Sequence, residues 1–153
     1  MASPLATALQ NGNIRVGYAT TDFASAVRGL LVQPLLDRGI TAARVDEIID
    51  SVLRREETGS TCSGPIALPH ARISGIPGIV AGLGVNPGGV YPKADTKIML
   101  TFVSPAEAAG EHLRFLSLVA KTFRDAGVVQ RVQAVGTRDE LLALFTDAEP
   151  PSR

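Results

Sequence analysis

Lys97-Ile98-Met99-Leu100-Thr101-Phe102-Val103 is the stretch that decides the fold. It is apolar at successive positions, on both faces, for most of its length. A strand with that pattern belongs inside a sheet covered on both sides. The covering has to come from helices, and the flanking sequence supplies them.

Upstream, Ile14-Arg15-Val16-Gly17-Tyr18-Ala19-Thr20 alternates as a strand does. Thr21 or Asp22 then caps a helix with Phe23, Ala26, Val27, Leu30, Leu31 and Leu35 on one face. Pro34 is expected to kink that helix, and Gly39 to end it. Thr41 opens a second helix with Val45, Ile48, Ile49, Val52 and Leu53 as its stripe, running into Arg54-Arg55. A loop over 58–65 leads to a brief strand, Ile66 to Leu68. Another strand is Ile79-Val80-Ala81-Gly82-Leu83-Gly84-Val85, whose glycines imply close backbone approach. Asn86-Pro87-Gly88-Gly89 makes a turn.

Downstream, Ser104-Pro105-Ala106-Glu107 matches a helix start. The main helix is expected over Glu111 to about Asp125, with Leu113, Leu116, Val119, Ala120 and Phe123 as its core stripe. Val128, Val129, Val132 and Val135 mark a further helical stretch. Thr137-Arg138-Asp139-Glu140 caps a last helix bearing Leu141, Leu142, Leu144 and Phe145. The expectation is a single α/β domain, a mixed β-sheet covered by helices. It spans 13–147, with 1–12 as an N-terminal extension and 148–153 as a disordered tail.

Composition narrows the function. The 153 residues suffice for one domain with a sizeable core. Fifteen basic and fifteen acidic residues leave no formal net charge, which argues against nucleic acid as a partner. No apolar run approaches the roughly 20 residues of a membrane span. The start of the chain lacks the features of a signal peptide. The single cysteine, Cys62, excludes an internal disulfide and fits a reducing cytoplasm. Two histidines and one cysteine, widely spaced, argue against a transition-metal site.

Those two histidines are the candidate chemistry. His70 closes Ile66-Ala67-Leu68-Pro69-His70, after a loop of small hydroxyl residues and glycines, with Arg55 upstream and Arg72 just after. His112 sits in the first turn of the main helix. An imidazole of this kind can carry chemistry near neutral pH.

The motifs Arg55-Glu56, Gly59-Ser60-Thr61 and Ile66-Ala67-Leu68-Pro69-His70 stand in order along the chain. They are followed by Ser104-Pro105-Ala106-Glu107, Glu111-His112-Leu113, Leu116-Ser117 and Thr137-Arg138-Asp139-Glu140-Leu141-Leu142. The pattern resembles the type-2 enzyme IIA family of the bacterial phosphoenolpyruvate:sugar phosphotransferase system. That family includes fructose- and mannitol-specific IIA domains and the nitrogen-regulatory IIA protein. The likeness runs from Ile14 to about Asp147.

The resemblance implies roles position by position. His70 matches the histidine that is phosphorylated, and His112 the second active-site histidine that positions the phosphoryl group. Arg55 matches the arginine near that site, and Ser60 and Thr61 the hydroxyl positions of the preceding loop. The implied phosphoryl donor is the histidine phosphocarrier protein. The implied recipient is a IIB component or a regulatory protein target; the alternative is a regulatory binding protein that keeps the fold without transferring. Phosphoryl transfer of this kind asks mainly for positioning and charge stabilisation, and no cofactor is implied. Two departures from the family pattern stand out. The loop between Thr61 and Ile66 is one residue shorter, with Gly64-Pro65 as its turn, and Ala71 stands where glycine commonly follows the histidine.

Overall fold

The computed structural model of the chain describes residues 4–20, 22–88 and 95–148. Gly89 and residues 149–153 of the tail expected over 148–153 lie outside the described residues, as does Thr21, while Ala148 is the last residue of a helix. Among the described residues six helices and five strands follow in order: α1 (Pro4–Gln10), β1 (Asn13–Val16), α2 (Phe23–Asp37), α3 (Ala42–Thr58), β2 (Ile66–Ala67), β3 (His70–Ile73), β4 (Val80–Val85), β5 (Ile98–Pro105), α4 (Ala109–Arg124), α5 (Ala126–Ala134) and α6 (Arg138–Ala148). Among the described residues no helix is long and apolar enough to cross a membrane.

The apolar stretch 97–103 becomes β5, the hub of the sheet. β4 runs antiparallel to it on one side, and β2 and β3 run parallel to it on the other; β1 pairs parallel with β4. Every residue of β5 is buried, as expected of a strand covered on both faces. Its side chains alternate between two cores. Ile98, Leu100 and Phe102 face α1, α4, α5 and α6, while Met99 and Val103 face α2 and α3.

β2 and β3 are two parts of one run along β5. Partners keep a constant offset of 32 positions from Ile66↔Ile98 to Ile73↔Pro105, so no residue is bulged out at Leu68-Pro69. Proline has no N–H for the ladder, but its carbonyl still accepts from Phe102 N at 3.2 Å. The brief strand read from the sequence thus resumes at His70, which opens β3 instead of ending β2.

Helix caps follow the local sequence. Asp22 accepts from Ser25 N, Thr41 from Arg44 N, and Thr137 from Glu140 N. α2 continues through Pro34 to Asp37, and Gly39 follows it in the left-handed region at φ 83°. The glycines of β4 do permit close approach. A Cβ on Gly82 would lie 2.5 Å from Leu30 O, so α2 packs its backbone directly on the sheet.

Three expectations need correcting. Ser104 and Pro105 do not start a helix; they end β5, because the ladder with β3 extends to Ile73↔Pro105, and α4 begins only at Ala109. Leu113 is not in the core stripe of α4 but 64% exposed; Phe115 packs inward in its place. Within the expected N-terminal extension, residues 4–12 are not an appendage. Leu5 and Leu9 of α1 are fully buried in the α4–α6 core, where they meet the sheet's outer face.

Candidate functional site

Period-two geometry builds the site. His70 and Arg72 on β3 pair with Phe102 and Ser104 on β5, so all four side chains leave the sheet on one face. That is the face covered by α4, whose first turn brings in His112. The end of α3 brings Arg55 to the same place. Ser51, Arg55, His70, Ala71, Arg72 and His112 line one open cleft.

The three residues singled out as catalytic, His70, His112 and Arg55, therefore meet. Ser60 and Thr61 do not line this cleft. Ser60 Oγ accepts from Cys62 N within its own exposed turn. Thr61 is held by Glu56: its N–H donates to Oε2 at 2.8 Å and its hydroxyl to Oε1 at 2.7 Å. Thr61 Oγ1 in turn accepts from Leu68 N at 3.1 Å. Its place is behind the histidine, fixing the loop.

His70 is 7% exposed and fixed on three sides. Its ring stacks on Phe102 with centroids 5.2 Å apart and an interplanar angle of 10°. Its Nδ1 lies 2.7 Å from Leu68 O. A carbonyl can only accept, so Nδ1 carries the proton and donates it. In the neutral ring Nε2 then bears the lone pair. His112, 6% exposed, lies with its ring centroid 5.5 Å from that of His70, and its Nδ1 is hydrogen-bonded to Ser104 Oγ.

Both imidazoles are pushed below their usual pKa. For His70 burial is the main cause; the hydrogen bond to Leu68 opposes it, the Arg55 charge adds to it and Glu56 opposes it. For His112 burial leads again, followed by the charges of His70, Arg72 and Arg55. Neutral rings are thus favoured. Positive charge comes instead from two guanidinium groups, each anchored on a backbone carbonyl. Arg55 Nη1 donates to Gly59 O at 2.9 Å, and Arg72 Nη2 to Ala106 O at 3.0 Å. Among the described residues neither pairs with a carboxylate. A cleft lined by a lone-pair imidazole and by two arginines with no carboxylate partner suits an anion that is attacked by nitrogen.

Sequence reasoning gave Arg72, Ser104 and Phe102 no part in the site. The period of two along β3 was the available signal for Arg72. Ser104 reads in the sequence only as part of a helix start and of the motif before His112, not as a site residue.

A family model described as "Phosphoenolpyruvate-dependent sugar phosphotransferase system, EIIA 2" matches residues 9–148. The chain belongs to that family.

Its sequence is 29% identical over 115 residues to the nitrogen regulatory protein of Escherichia coli (strain K12), covering 67% of this chain. The match to the nitrogen regulatory protein of Klebsiella oxytoca is 28% over 114 residues. The chain spans 66% of the length of these relatives, a little under two thirds. Among solved structures, the nitrogen regulatory protein IIA-Ntr of Neisseria meningitidis superposes with a TM-score of 0.79, at 20% identity, over 94% of this chain and all of that one. IIA mannitol of Escherichia coli gives a TM-score of 0.67 at 19% identity, over 87% of this chain and 95% of that one. These likenesses place the fold among phosphotransferase-system IIA proteins.

Proposed function

We propose that the protein is a cytoplasmic phosphocarrier that accepts a phosphoryl group on Nε2 of His70. The donor is the phosphohistidine of the histidine phosphocarrier protein. The observation that carries this reading is the 2.7 Å bond from His70 Nδ1 to Leu68 O, which fixes a nucleophilic Nε2 in a ring lining a cleft with two arginines that pair with no carboxylate among the described residues.

The chemistry needs one exchange of bonds. The Nε2 lone pair attacks phosphorus in line, the donor's N–P bond breaks, and its electron pair returns to the donor imidazole. The proton on His70 Nδ1 can stay on the bond to Leu68 O during the attack. Arg55 and Arg72 stabilise charge on the phosphoryl oxygens, and burial keeps His70 in the neutral form that attacks. No metal enters this scheme.

From His70 the group passes to a IIB component or acts as a regulatory switch. One solved structure similar in fold is a complex of enzyme IIA and phosphorylated enzyme IIB for mannitol from Escherichia coli, which supports the first. The nitrogen regulatory relatives support the second. A non-transferring regulatory protein would not need the convergence of His70, His112 and Arg55.

The test is incubation with phosphoenolpyruvate, enzyme I and the histidine phosphocarrier protein. Acid-labile, base-stable label should appear on the chain and vanish in His70→Ala. Label that persists in that variant would sink the assignment.

A further inference from the structure

We propose that Ser104 is a positioning residue that sets which nitrogen of His112 bears the proton. Its consequence for transfer rests on the phosphohistidine reading above. Ser104 is fully buried near the end of β5, on the face that carries Phe102, and its Oγ is hydrogen-bonded to His112 Nδ1. That is its one side-chain hydrogen bond among the described residues.

A hydroxyl has a single proton to give. If Ser104 accepted from an Nδ1–H, its own proton would be buried without an acceptor, a larger penalty than an ordinary hydrogen bond repays. If Ser104 donates, its proton is satisfied and Nδ1 is the acceptor. The neutral ring must then carry its proton on Nε2. Since Nδ1 is directed at Ser104, Nε2 is the nitrogen left for the cleft.

His70 is arranged the other way round. Its partner is a carbonyl, which forces the proton onto Nδ1 and leaves Nε2 bare. Two imidazoles 5.5 Å apart thus hold opposite tautomers, one because it faces a carbonyl and one because it faces a serine hydroxyl. A phosphoryl group on His70 Nε2 would meet an N–H of His112 without His112 having to become charged. His112 then serves as a neutral hydrogen-bond donor, and Ser104 makes it one.

Long-range proton–nitrogen correlation NMR on the unphosphorylated full chain, above neutral pH, reads the tautomers directly. His112 should be the Nε2–H form and His70 the Nδ1–H form. In Ser104→Ala, His112 should lose its single tautomer while His70 keeps its own; Ser104→Thr, which retains a hydroxyl, should restore the Nε2–H form. Phosphoryl transfer through His70 should slow about tenfold in Ser104→Ala and stay within about twofold in Ser104→Thr. An Nδ1–H His112 in the wild-type chain, or an unaltered His112 tautomer in Ser104→Ala, would overturn the proposal. The wild-type spectrum decides even where a variant folds poorly. Failure of labelling at His70 with the tautomers as described would instead defeat the phosphocarrier reading and leave the tautomer assignment standing.

Discussion

The imidazole of His70 and the ring of Phe102 are rung partners on adjacent parallel strands, and they stack with planes only 10° apart. Phe102 also touches His112 at 5.7 Å and Phe115 edge-on at 4.8 Å, so one fully buried aromatic supports both histidines. Phe102→Leu should cost about 1–2 kcal/mol of stability and free the His70 ring to reorient. Denaturant titration gives the first and side-chain NMR of His70 the second. An unaltered, single His70 conformation would show that the Leu68 bond alone suffices to hold it.

The depressed imidazole pKa values predict a stability profile. In the unfolded chain both rings titrate near 6.5, and in the fold both titrate lower because they are buried. Between the folded values and 6.5 the unfolded chain binds more protons, so stability rises with pH through that window and is lost as pH falls through the folded values. Unfolding free energies from about pH 5 to about pH 8 should show this slope, and His70→Gln with His112→Gln should flatten it. Arg55→Gln removes a charge that lowers both rings, so both should titrate higher by NMR.

Thr61 and Ser60 should separate cleanly despite being neighbours. Thr61→Val removes the hydroxyl that joins Glu56 to Leu68 N, whose carbonyl holds His70. A loss of about 1–2 kcal/mol and slower transfer are expected. Ser60→Ala should change stability little, since its one bond lies within an exposed turn. Equal effects in denaturation midpoint would contradict the separation.

The fold was legible where the period was strong. β5 declared itself by apolar residues on both faces, and α2 and α3 by their stripes and by Asp22 and Thr41. The misreadings came from residues whose local preference was overridden at a distance. Ser104-Pro105-Ala106-Glu107 has the composition of a helix start, but pairing with β3 keeps Ser104 and Pro105 in the strand. Leu113 fits an apolar stripe yet falls on the solvent side, because Phe115 and His112 take the inward positions of that turn. α1 is too short for periodicity to reveal, and its burial depends on helices more than 100 residues away. Of the site, His70, His112 and Arg55 could be picked out by motif. Arg72, Phe102 and Ser104 could not, since their place follows from strand register.

Gly82 offers a test of the sheet–helix contact. In Gly82→Ala the new methyl would fall 2.5 Å from Leu30 O and 2.8 Å from Leu30 Cβ, atoms that cannot move without shifting α2. A loss of about 1–3 kcal/mol is expected. Gly78→Ala meets nothing within 4 Å and serves as the control. Thermal denaturation of the two should diverge; matching midpoints would mean that α2 yields easily.

The unbroken register from Ile66 to Ile73 has a genetic corollary. The histidine's address is counted along β5, not along the loop before it. A codon gained or lost between Gly59 and Pro65 reshapes the turn and, with Ile66 still on Ile98, leaves His70 opposite Phe102. A codon gained between Ala67 and Pro69, with Ile66 still on Ile98, would set Pro69 opposite Phe102 and turn the imidazole toward the α2–α3 core. A change of length in the first segment leaves the register of His70 intact; in the second, a single inserted residue erases the site.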